Sequence, residues 1–296
     1  RLDLLDLATG DAARLSRCLP EVLGPDDLAG AITSEAARVL GLPAGVVVAA
    51  GTGDNMGAAL GLGLETGDVA ISLGTSGTAY ARSSTPTHDP TGAVAGFASA
   101  DGAFLPLVCT LNATKVTDTV ASLMGVDRAT FAALASAAPP GAGGLTLVPY
   151  LDGERTPDLP DAAGMLVGMR TTTDRASLAR AAHEGVVCGL LDGVDALAGA
   201  GAVMDGRAFL VGGGARSAAY RRITADLWQR PILVPDDDEV VATGACVQAA
   251  AVVAGIDAAA VAATWGLGRG SDVDPDVGVD AAAIRSAYAA AARLSS

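Results

Sequence analysis

Residues 69–81 read VAISLGTSGTAYA, and this stretch decides the fold class. Its two ends, residues 69–73 and 78–81, are rich in the apolar and β-branched side chains that favour strands. Residues 74–77 lie between them as a four-residue turn that begins and ends with glycine. Two short strands around such a turn predict a β-hairpin.

Two further apolar runs, one on each side of the hairpin, also end in glycine. Residues 46–50 read VVVAA and lead into GTGDN at 51–55, while residues 208–211 read AFLV and lead into GGG at 212–214. Short apolar runs bounded by glycine predict buried strands. Helical patterns follow both, over residues 56–64 and 217–228. Asp54 therefore stands where a strand turns into a helix, which is where ligands bind in open α/β sheets.

From residue 67 onward the predicted order is hairpin, strand, helix, strand, helix, strand, helix. The further predicted strands cover residues 102–107, 145–148 and 231–235, and the further helices cover 112–124, 177–200, 241–254 and 281–294. An antiparallel start followed by alternating strands and helices predicts an α/β fold with a mixed sheet and helices packed on it.

The net charge and the amino-acid composition of the chain limit the kinds of molecule that it can bind. The 296 residues include 19 Lys and Arg against 33 Asp and Glu, a net charge of −14, which predicts no nucleic-acid partner and no anionic membrane surface. The uncharged residues 240–255 are too short for a membrane span of roughly 20 residues and predict a buried helix. The four cysteines form no CxxC pair, which predicts reduced thiols in the cytoplasm and no zinc site.

The common nucleotide and hydrolase signatures fail in this sequence. The single lysine, Lys115, lacks the glycines of a P-loop, and Met56 occupies the third glycine position of a dinucleotide fingerprint. The nucleophile elbow of serine hydrolases fails at Thr78. These observations exclude P-loop, Rossmann and serine-hydrolase chemistry.

Three strand ends remain as candidate sites, each with an ordinary structural alternative. Residues 74–77 either hold an anion on their backbone N–H groups or form a simple hairpin turn. Residues 212–214 either admit a ligand close to the backbone or make a tight connection from strand to helix. Asp54 either accepts a proton from a hydroxyl group or caps a helix.

Taken together and in this order, the motifs resemble the FGGY family of carbohydrate kinases, within the actin/hexokinase-like ATPase superfamily. The matching segments are GTGDN at 51–55, ISLGTSG at 71–77, PYLDGERTP at 149–157 and GGGARS at 212–217. The resemblance implies an actin/hexokinase-like (ribonuclease H-like) ATPase domain, with a mixed sheet and helices on both faces.

The resemblance also implies a role for each motif. Asp54 would be the catalytic base that deprotonates the sugar hydroxyl attacking the γ-phosphate of ATP, and Asn55 would contact the sugar. The implied sugar is D-xylulose, with ribulose and gluconate as open alternatives, and Mg²⁺ would accompany the nucleotide. The residues implied to bind the nucleotide are Gly74, Thr75, Ser76, Gly77, Asn112, Gly213, Gly214 and Ser217. A homodimer is a further expectation.

The family pattern is not matched throughout. Ser177 stands where the family has a polar or acidic side chain, and His183 stands where it has an apolar one, so His183 is interpreted as a helix-face residue. The Asp-x-Gly-Thr segment that opens the family's first domain has no counterpart here. We therefore expect residues 1–66 to be the tail of a first, sugar-binding domain and residues 67–296 to be a complete nucleotide-binding domain. This chain alone should be inactive; a non-catalytic ATP-binding module is the alternative from another class.

Overall fold

The hairpin predicted from residues 69–81 is present in the structure, a computed structural model that describes residues 1–295. Within those residues, eleven strands and eleven α-helices are found, with three short 3₁₀ helices at Ser16–Cys18, Ala142–Gly144 and Gly213–Arg216. The strands are β1 (Leu28–Ala31), β2 (Val47–Ala49), β3 (Val69–Leu73), β4 (Gly77–Ala81), β5 (Ala95–Ala98), β6 (Phe104–Thr110), β7 (Thr146–Val148), β8 (Met165–Val167), β9 (Ala208–Val211), β10 (Ile232–Pro235) and β11 (Gly270–Val273). The helices are α1 (Leu2–Thr9), α2 (Ala12–Leu15), α3 (Ser34–Leu40), α4 (Asp54–Gly61), α5 (Thr114–Leu123), α6 (Arg128–Ala137), α7 (Arg175–Gly199), α8 (Ala218–Trp228), α9 (Val240–Ala254), α10 (Ala258–Trp265) and α11 (Ala281–Ala292).

Seven strands form one mixed sheet in the order β11-β10-β9-β3-β4-β6-β5. The hairpin β3–β4 lies at its centre and pairs in the antiparallel sense from Val69 opposite Ala81 to Leu73 opposite Gly77. On the other side of β3, β9 and then β10 run parallel to it. The prediction of a mixed sheet built on this hairpin is confirmed.

Side chains alternate between the two faces of the sheet, and helices cover both faces. Val69, Ile71 and Leu73 of β3 pack in a core with α5, α6, α7, α8 and α11. Ala70 of β3 and Phe209 of β9 point the other way and pack with α4, α9 and α10. The predicted arrangement, helices on both faces of a mixed sheet, is confirmed.

Helices α4 and α9 cross with almost no separation. A Cβ atom at Gly61 would collide with the carbonyl oxygen of Val240, and one at Gly244 would collide with that of Gly57. Glycine at these positions lets the two backbones touch. Since α4 begins at Asp54, this contact places Asp54 against the domain that contains the main sheet. Helix α4 itself lies in residues 1–66, which are expected to be the last part of the first domain.

The strand predicted at residues 46–50 forms as β2, but the prediction that it is buried is wrong. Val46, Val47 and Val48 are 38%, 42% and 46% exposed. The reason is that β2 pairs with β1 in a two-stranded sheet apart from the main one, so its apolar side chains lie outside both cores.

Several element boundaries differ from the sequence-based expectation. The helix predicted at 112–124 begins at Thr114, the last helix ends at Ala292, and the strand predicted at 102–107 covers Phe104–Thr110. Strands β1, β5, β8 and β11 and helices α6 and α10 were not predicted, because their short sequences carry no clear apolar period.

The uncharged segment 240–255 forms α9, which is buried along the side that faces α4. Across residues 1–295, no helix alone has the length and apolar character to cross a membrane; α9 and α10 satisfy that test only as a pair bent by 117°.

Candidate active site

The hairpin turn and the triple glycine lie side by side at one edge of the main sheet. Strands β3 and β9 are parallel neighbours with Ser72 opposite Val211, so they end at the same level. The turn follows β3 and the glycines follow β9. This is the carboxyl end of parallel strands, which is where open α/β sheets bind their ligands.

A cavity of about 470 Å³ opens at this edge, and we call it the edge cavity. Five residues singled out from the sequence line it together: Gly74, Thr75, Gly213, Gly214 and Ser217. The remaining lining residues are Leu73, Thr114, Thr117, Asp118, Ala121, Arg128, Phe131, Ala132, His183, Arg216 and Tyr220. The fold thus joins two glycine-rich turns that are far apart in the sequence into one site.

The hairpin turn is anchored by its carbonyl oxygens. Gly74 O accepts hydrogen bonds from Thr114 N at 3.0 Å and Thr114 Oγ1 at 2.9 Å, and Thr75 O accepts from Ala113 N at 3.2 Å. These contacts satisfy amide groups at the start of α5. Among the described residues, the N–H groups of Thr75 and Ser76 donate to no acceptor, so they remain free to hold an anion.

Two of the three glycines stand where a larger residue would not fit. Gly212 has φ of 86°, a left-handed conformation that favours glycine, and a Cβ atom there would lie 2.8 Å from Leu73 O. A Cβ atom at Gly214 would lie 2.7 Å from Leu73 Cβ, whereas one at Gly213 would meet nothing within 4 Å. Gly213 therefore faces open space in the cavity, while its two neighbours pack against the end of β3.

Ser217 ends the connection and starts the next helix. Its hydroxyl oxygen accepts a hydrogen bond from Tyr220 N at 3.5 Å, so Ser217 is the N-cap of α8. The N-terminus of α8 therefore faces the edge cavity, where it favours a negatively charged ligand.

Asp54 lies in a second, smaller cavity of about 180 Å³ on the other side of the glycine run, and we call it the Asp54 cavity. Gly212 lines the Asp54 cavity and Gly213 lines the edge cavity, so this backbone separates the two. Ser72 and Tyr80 of the central hairpin contribute to the wall. Burial and the charge of Asp54 both raise the pKa of the Tyr80 hydroxyl, which keeps this group neutral.

The structure places Asp54 inside helix α4 and not at its N-cap. Gly53 is the N-cap of α4, and Asp54 is the first residue of the helix. Its Oδ1 atom accepts hydrogen bonds from Asn55 N at 2.8 Å and Asn55 Nδ2 at 3.1 Å, both within the adjacent residue. Since Asp54 is exposed and has no basic partner among the described residues, its second oxygen remains available to accept a proton.

Comparison with known proteins agrees with this geometry. Residues 69–253 match the C-terminal domain of the FGGY family of carbohydrate kinases. The chain belongs to this family. It is 48% identical over 256 residues to a xylulose kinase of Streptomyces coelicolor and 46% identical over 247 residues to one of Streptomyces rubiginosus, matches that cover 86% and 83% of this chain.

The same likeness extends to solved FGGY kinase structures. The xylulose kinase of Bifidobacterium adolescentis is 40% identical, with a TM-score of 0.80 over 99% of this chain and 58% of that one. The matches to the two Streptomyces enzymes cover 51% and 49% of their length, so this chain spans about half of the curated relatives it matches.

Three of the residues expected to bind nucleotide in this FGGY domain do not line the edge cavity. Ser76 is exposed at the tip of the hairpin turn, and Gly77 is buried in β4, where a Cβ atom would lie 2.6 Å from Leu190 Cδ2. Asn112 is also buried; its Nδ2 atom donates to Gly153 O at 2.7 Å and to Glu154 Oε2 at 2.9 Å. The Asn112 side chain therefore fastens the PYLDGERTP segment to the end of β6.

The FGGY site also contains aromatic residues that the sequence reasoning missed. Phe131 of α6, His183 of α7 and Tyr220 of α8 stack in a row, with ring centroids 5.4 Å and 4.5 Å apart, and line the edge cavity. Burial lowers the pKa of His183 to about 4, so the ring is neutral at pH 7. His183 lies on one face of helix α7, as expected, and this face forms part of the wall of the edge cavity. No spacing pattern in the sequence links residues from three separate helices.

A second missed feature of the FGGY site is an ion pair at the cavity. Arg128 donates to Asp118 from Nε at 2.6 Å and from Nη2 at 2.7 Å. Both residues line the edge cavity, and the guanidinium group is largely exposed. Because the two charges are paired, they place polar groups in the cavity wall without adding net charge.

Proposed function

We propose that this chain is the nucleotide-binding part of an ATP-dependent xylulokinase, which transfers the γ-phosphoryl group of ATP to D-xylulose and yields D-xylulose 5-phosphate and ADP. The observation that carries the proposal is the placement of Asp54, with one free carboxylate oxygen, directly across the glycine run from the edge cavity. The similarity to xylulose kinases supports D-xylulose over ribulose or gluconate as the acceptor.

The edge cavity has the chemistry expected of an ATP site. The free N–H group of Thr75 and the N-terminus of α8 can hold phosphate oxygens in this cavity without a lysine. Gly213 leaves the backbone open for close approach of the nucleotide. The neutral aromatic row beyond it offers apolar surface to the adenosine part.

Magnesium fits the site only as a companion of the nucleotide. Within residues 1–295 there is no group of three or more His, Cys, Asp or Glu side chains that could hold a metal ion. Mg²⁺ is commonly bound by one or two carboxylates together with substrate phosphates and water, and Asp238 lines the adjoining cavity. When bound, Mg²⁺ would neutralise charge on the phosphates.

Asp54 performs the proton transfer in the proposed reaction. Its free carboxylate oxygen accepts the proton of the primary sugar hydroxyl, and the hydroxyl oxygen attacks the γ-phosphorus in line with the leaving ADP. The hairpin turn and the glycine run hold the phosphates on the far side of the same backbone. Asn55 keeps a second Nδ2 proton with which it can contact the sugar.

We propose the same domain division as the sequence predicts, with residues 1–66 belonging to a first, sugar-binding domain. The exposed apolar side chains of β2 and the start of the family match at residue 69 support it. The activity belongs to the complete protein, because the matched relatives are about twice as long as this chain. The proposed location of the protein is the cytoplasm. The four free cysteines support this proposal, because cytoplasmic proteins keep their thiols reduced.

A coupled assay of ADP release on the complete kinase tests this proposal. With Mg-ATP we expect turnover on D-xylulose to exceed that on D-ribulose and D-gluconate, and we expect none from the 296-residue chain alone. A different preferred sugar would correct the substrate assignment. ATP binding without turnover on any sugar would favour the non-catalytic module.

The Asp54→Asn variant tests the role of the base in the same assay. Losing general-base catalysis should lower kcat by roughly 10²- to 10⁴-fold. Asp54 is exposed, so the variant should fold and bind Mg-ATP as the wild type does. Near-normal turnover would show that another group accepts the proton.

A further inference from the structure

The carboxylate of Asp54 is held by its neighbour rather than by a basic side chain. Asn55 Nδ2 donates to Asp54 Oδ1 at 3.1 Å, in addition to the 2.8 Å bond from Asn55 N. Both donors reach the same oxygen, so they fix the rotation of the carboxylate and leave Oδ2 free. An exposed aspartate at the start of a helix would otherwise sample several rotamers.

The orientation of the Asn55 amide follows from its partners. An ionised carboxylate only accepts hydrogen bonds, so the amide group that faces Asp54 must be the NH₂. Asn55 Oδ1 then faces β4, where Thr78 Oγ1 donates to it at 3.2 Å. The Thr78 hydroxyl thus supports the amide orientation that the Asp54 carboxylate requires.

Thr78 connects this pair to the turn at the edge cavity. It follows the turn at residues 74–77 directly, and it lies in β4 opposite Ser72 of β3. Two hydrogen bonds therefore run from the central hairpin through Asn55 to Asp54. The backbone of the central hairpin, which lines the proposed phosphate site, therefore also sets the position of the Asp54 carboxylate.

We infer that Asn55 and Thr78 are positioning residues, which aim the free oxygen of Asp54 towards the acceptor hydroxyl and hold it in register with the hairpin turn. The consequence for catalysis rests on the proposed function, whereas the hydrogen-bond chain itself does not. Thr78 carries no charge and its hydroxyl is engaged with Asn55, so its effect on the reaction passes through Asn55.

The other groups that face Asp54 are accounted for in the test. Tyr80 of β4 is buried, and its hydroxyl has no hydrogen-bond partner among the described residues. Asp238 and Glu239 line the same cavity from the loop before α9. None of these groups changes in the substituted proteins, so a change in the NMR signal of the Asp54 carboxyl carbon reports on the hydrogen-bond chain.

The first measurement is the NMR chemical shift of the Asp54 carboxyl carbon, taken at one fixed pH in the chain itself. Thr78→Val keeps the shape of the side chain and removes its hydroxyl, and Asn55→Ala removes the amide. Because the hydrogen bonds made to a carboxylate change the chemical shift of its carbon, both variants should move this resonance. Thr78→Ser restores the hydroxyl and should restore the wild-type position.

Thr264→Val is the matched control for the change from threonine to valine. Thr264 is exposed on α10, and its hydroxyl donates to Ala260 O within that helix. The chemical shift of the Asp54 carboxyl carbon should be unchanged in this variant. An unchanged chemical shift in both Thr78→Val and Asn55→Ala would overturn the inference, whatever the activity of the complete kinase.

The second measurement is steady-state kinetics on the complete kinase. Thr78→Val should lower kcat about tenfold with little change in KM for ATP, and Thr78→Ser should stay within about twofold of the wild type. A changed chemical shift of the Asp54 carboxyl carbon with unchanged kcat would overturn the positioning role while leaving the hydrogen-bond chain in place. Absence of activity in the wild type would instead contradict the proposed function, and the NMR result would stand separately.

Discussion

Asp68 and Arg207 join the starts of the two parallel strands whose far ends carry the candidate site. The Asp68 carboxylate, nearly fully buried, accepts hydrogen bonds from Arg207 N at 2.6 Å, Nη2 at 2.6 Å and Nε at 3.1 Å. It also accepts from Glu65 N at 2.9 Å. One side chain therefore sets the register of β3 against β9, and that register places the hairpin turn beside the triple glycine.

Replacing Asp68 by alanine should destabilise the fold. The change leaves buried N–H groups without an acceptor and removes the carboxylate partner of the Arg207 guanidinium. Since Arg207 is partly exposed and keeps Gly63 O as an acceptor, we expect a loss of about 2 to 3 kcal/mol in the free energy of unfolding. Urea denaturation of the chain measures it. Asp158 is exposed and makes no ion pair among the described residues, so Asp158→Ala should stay within about 0.5 kcal/mol of the wild type. Equal effects of the two substitutions would contradict the structural role of Asp68.

Gly213 and Gly214 should respond differently to a side chain. Gly213→Val points into the open edge cavity, so it should weaken Mg-ATP binding at least about tenfold with little change in stability. Gly214→Ala forces a Cβ atom against Leu73 and should cost about 1 to 3 kcal/mol in the free energy of unfolding. Calorimetric titration and denaturation separate the two effects. Unchanged ATP affinity in Gly213→Val would place the nucleotide elsewhere.

His183 should make the protein lose stability in mild acid. Its pKa is lowered to about 4 in the folded state, against about 6.5 in the unfolded chain, so the unfolded state binds the extra proton between these values. Stability therefore falls as the pH falls from 6.5 to 4, and this residue accounts for about 2 kcal/mol of that loss at pH 5.

The test compares urea denaturation of the wild type and His183→Phe at pH 7 and pH 5. The phenylalanine keeps an aromatic ring between Phe131 and Tyr220 and cannot take up a proton. The loss of folding stability from pH 7 to pH 5 should therefore be smaller in this variant than in the wild type by about 2 kcal/mol. His88 is the other histidine and is exposed, and His88→Phe should behave as the wild type. Parallel pH profiles for all three proteins would rule out the role given to His183.

Much of the candidate site could be predicted because its parts are local. The strand–turn–strand at 69–81 and the glycines at 212–214 are sequence patterns with near-neighbour causes: apolar alternation, and backbone conformations open to glycine. Ser217 at the helix start and Asp54 after a strand belong to the same class. These residues also carry the resemblance to the FGGY family.

The rest of the site depends on contacts between distant segments. The row of Phe131, His183 and Tyr220 exists only because α6, α7 and α8 pack on one face of the sheet. Asn112 was expected near the nucleotide, and its amide instead bonds Glu154, a partner that sequence spacing does not reveal. The exposure of β2 likewise depends on which strands it pairs with and not on its own apolar residues.

The sequence by itself determined the fold class, the central hairpin and the two glycine-rich turns, because each depends on the conformational preferences of a few adjacent residues. Only the tertiary structure decided that these turns share one cavity, that Asp54 lies across the glycine run from it, and that Thr78 reaches Asp54 through Asn55. The physical reason is that the parallel pairing of β3 with β9 and the close crossing of α4 and α9 come from packing between residues far apart in the chain.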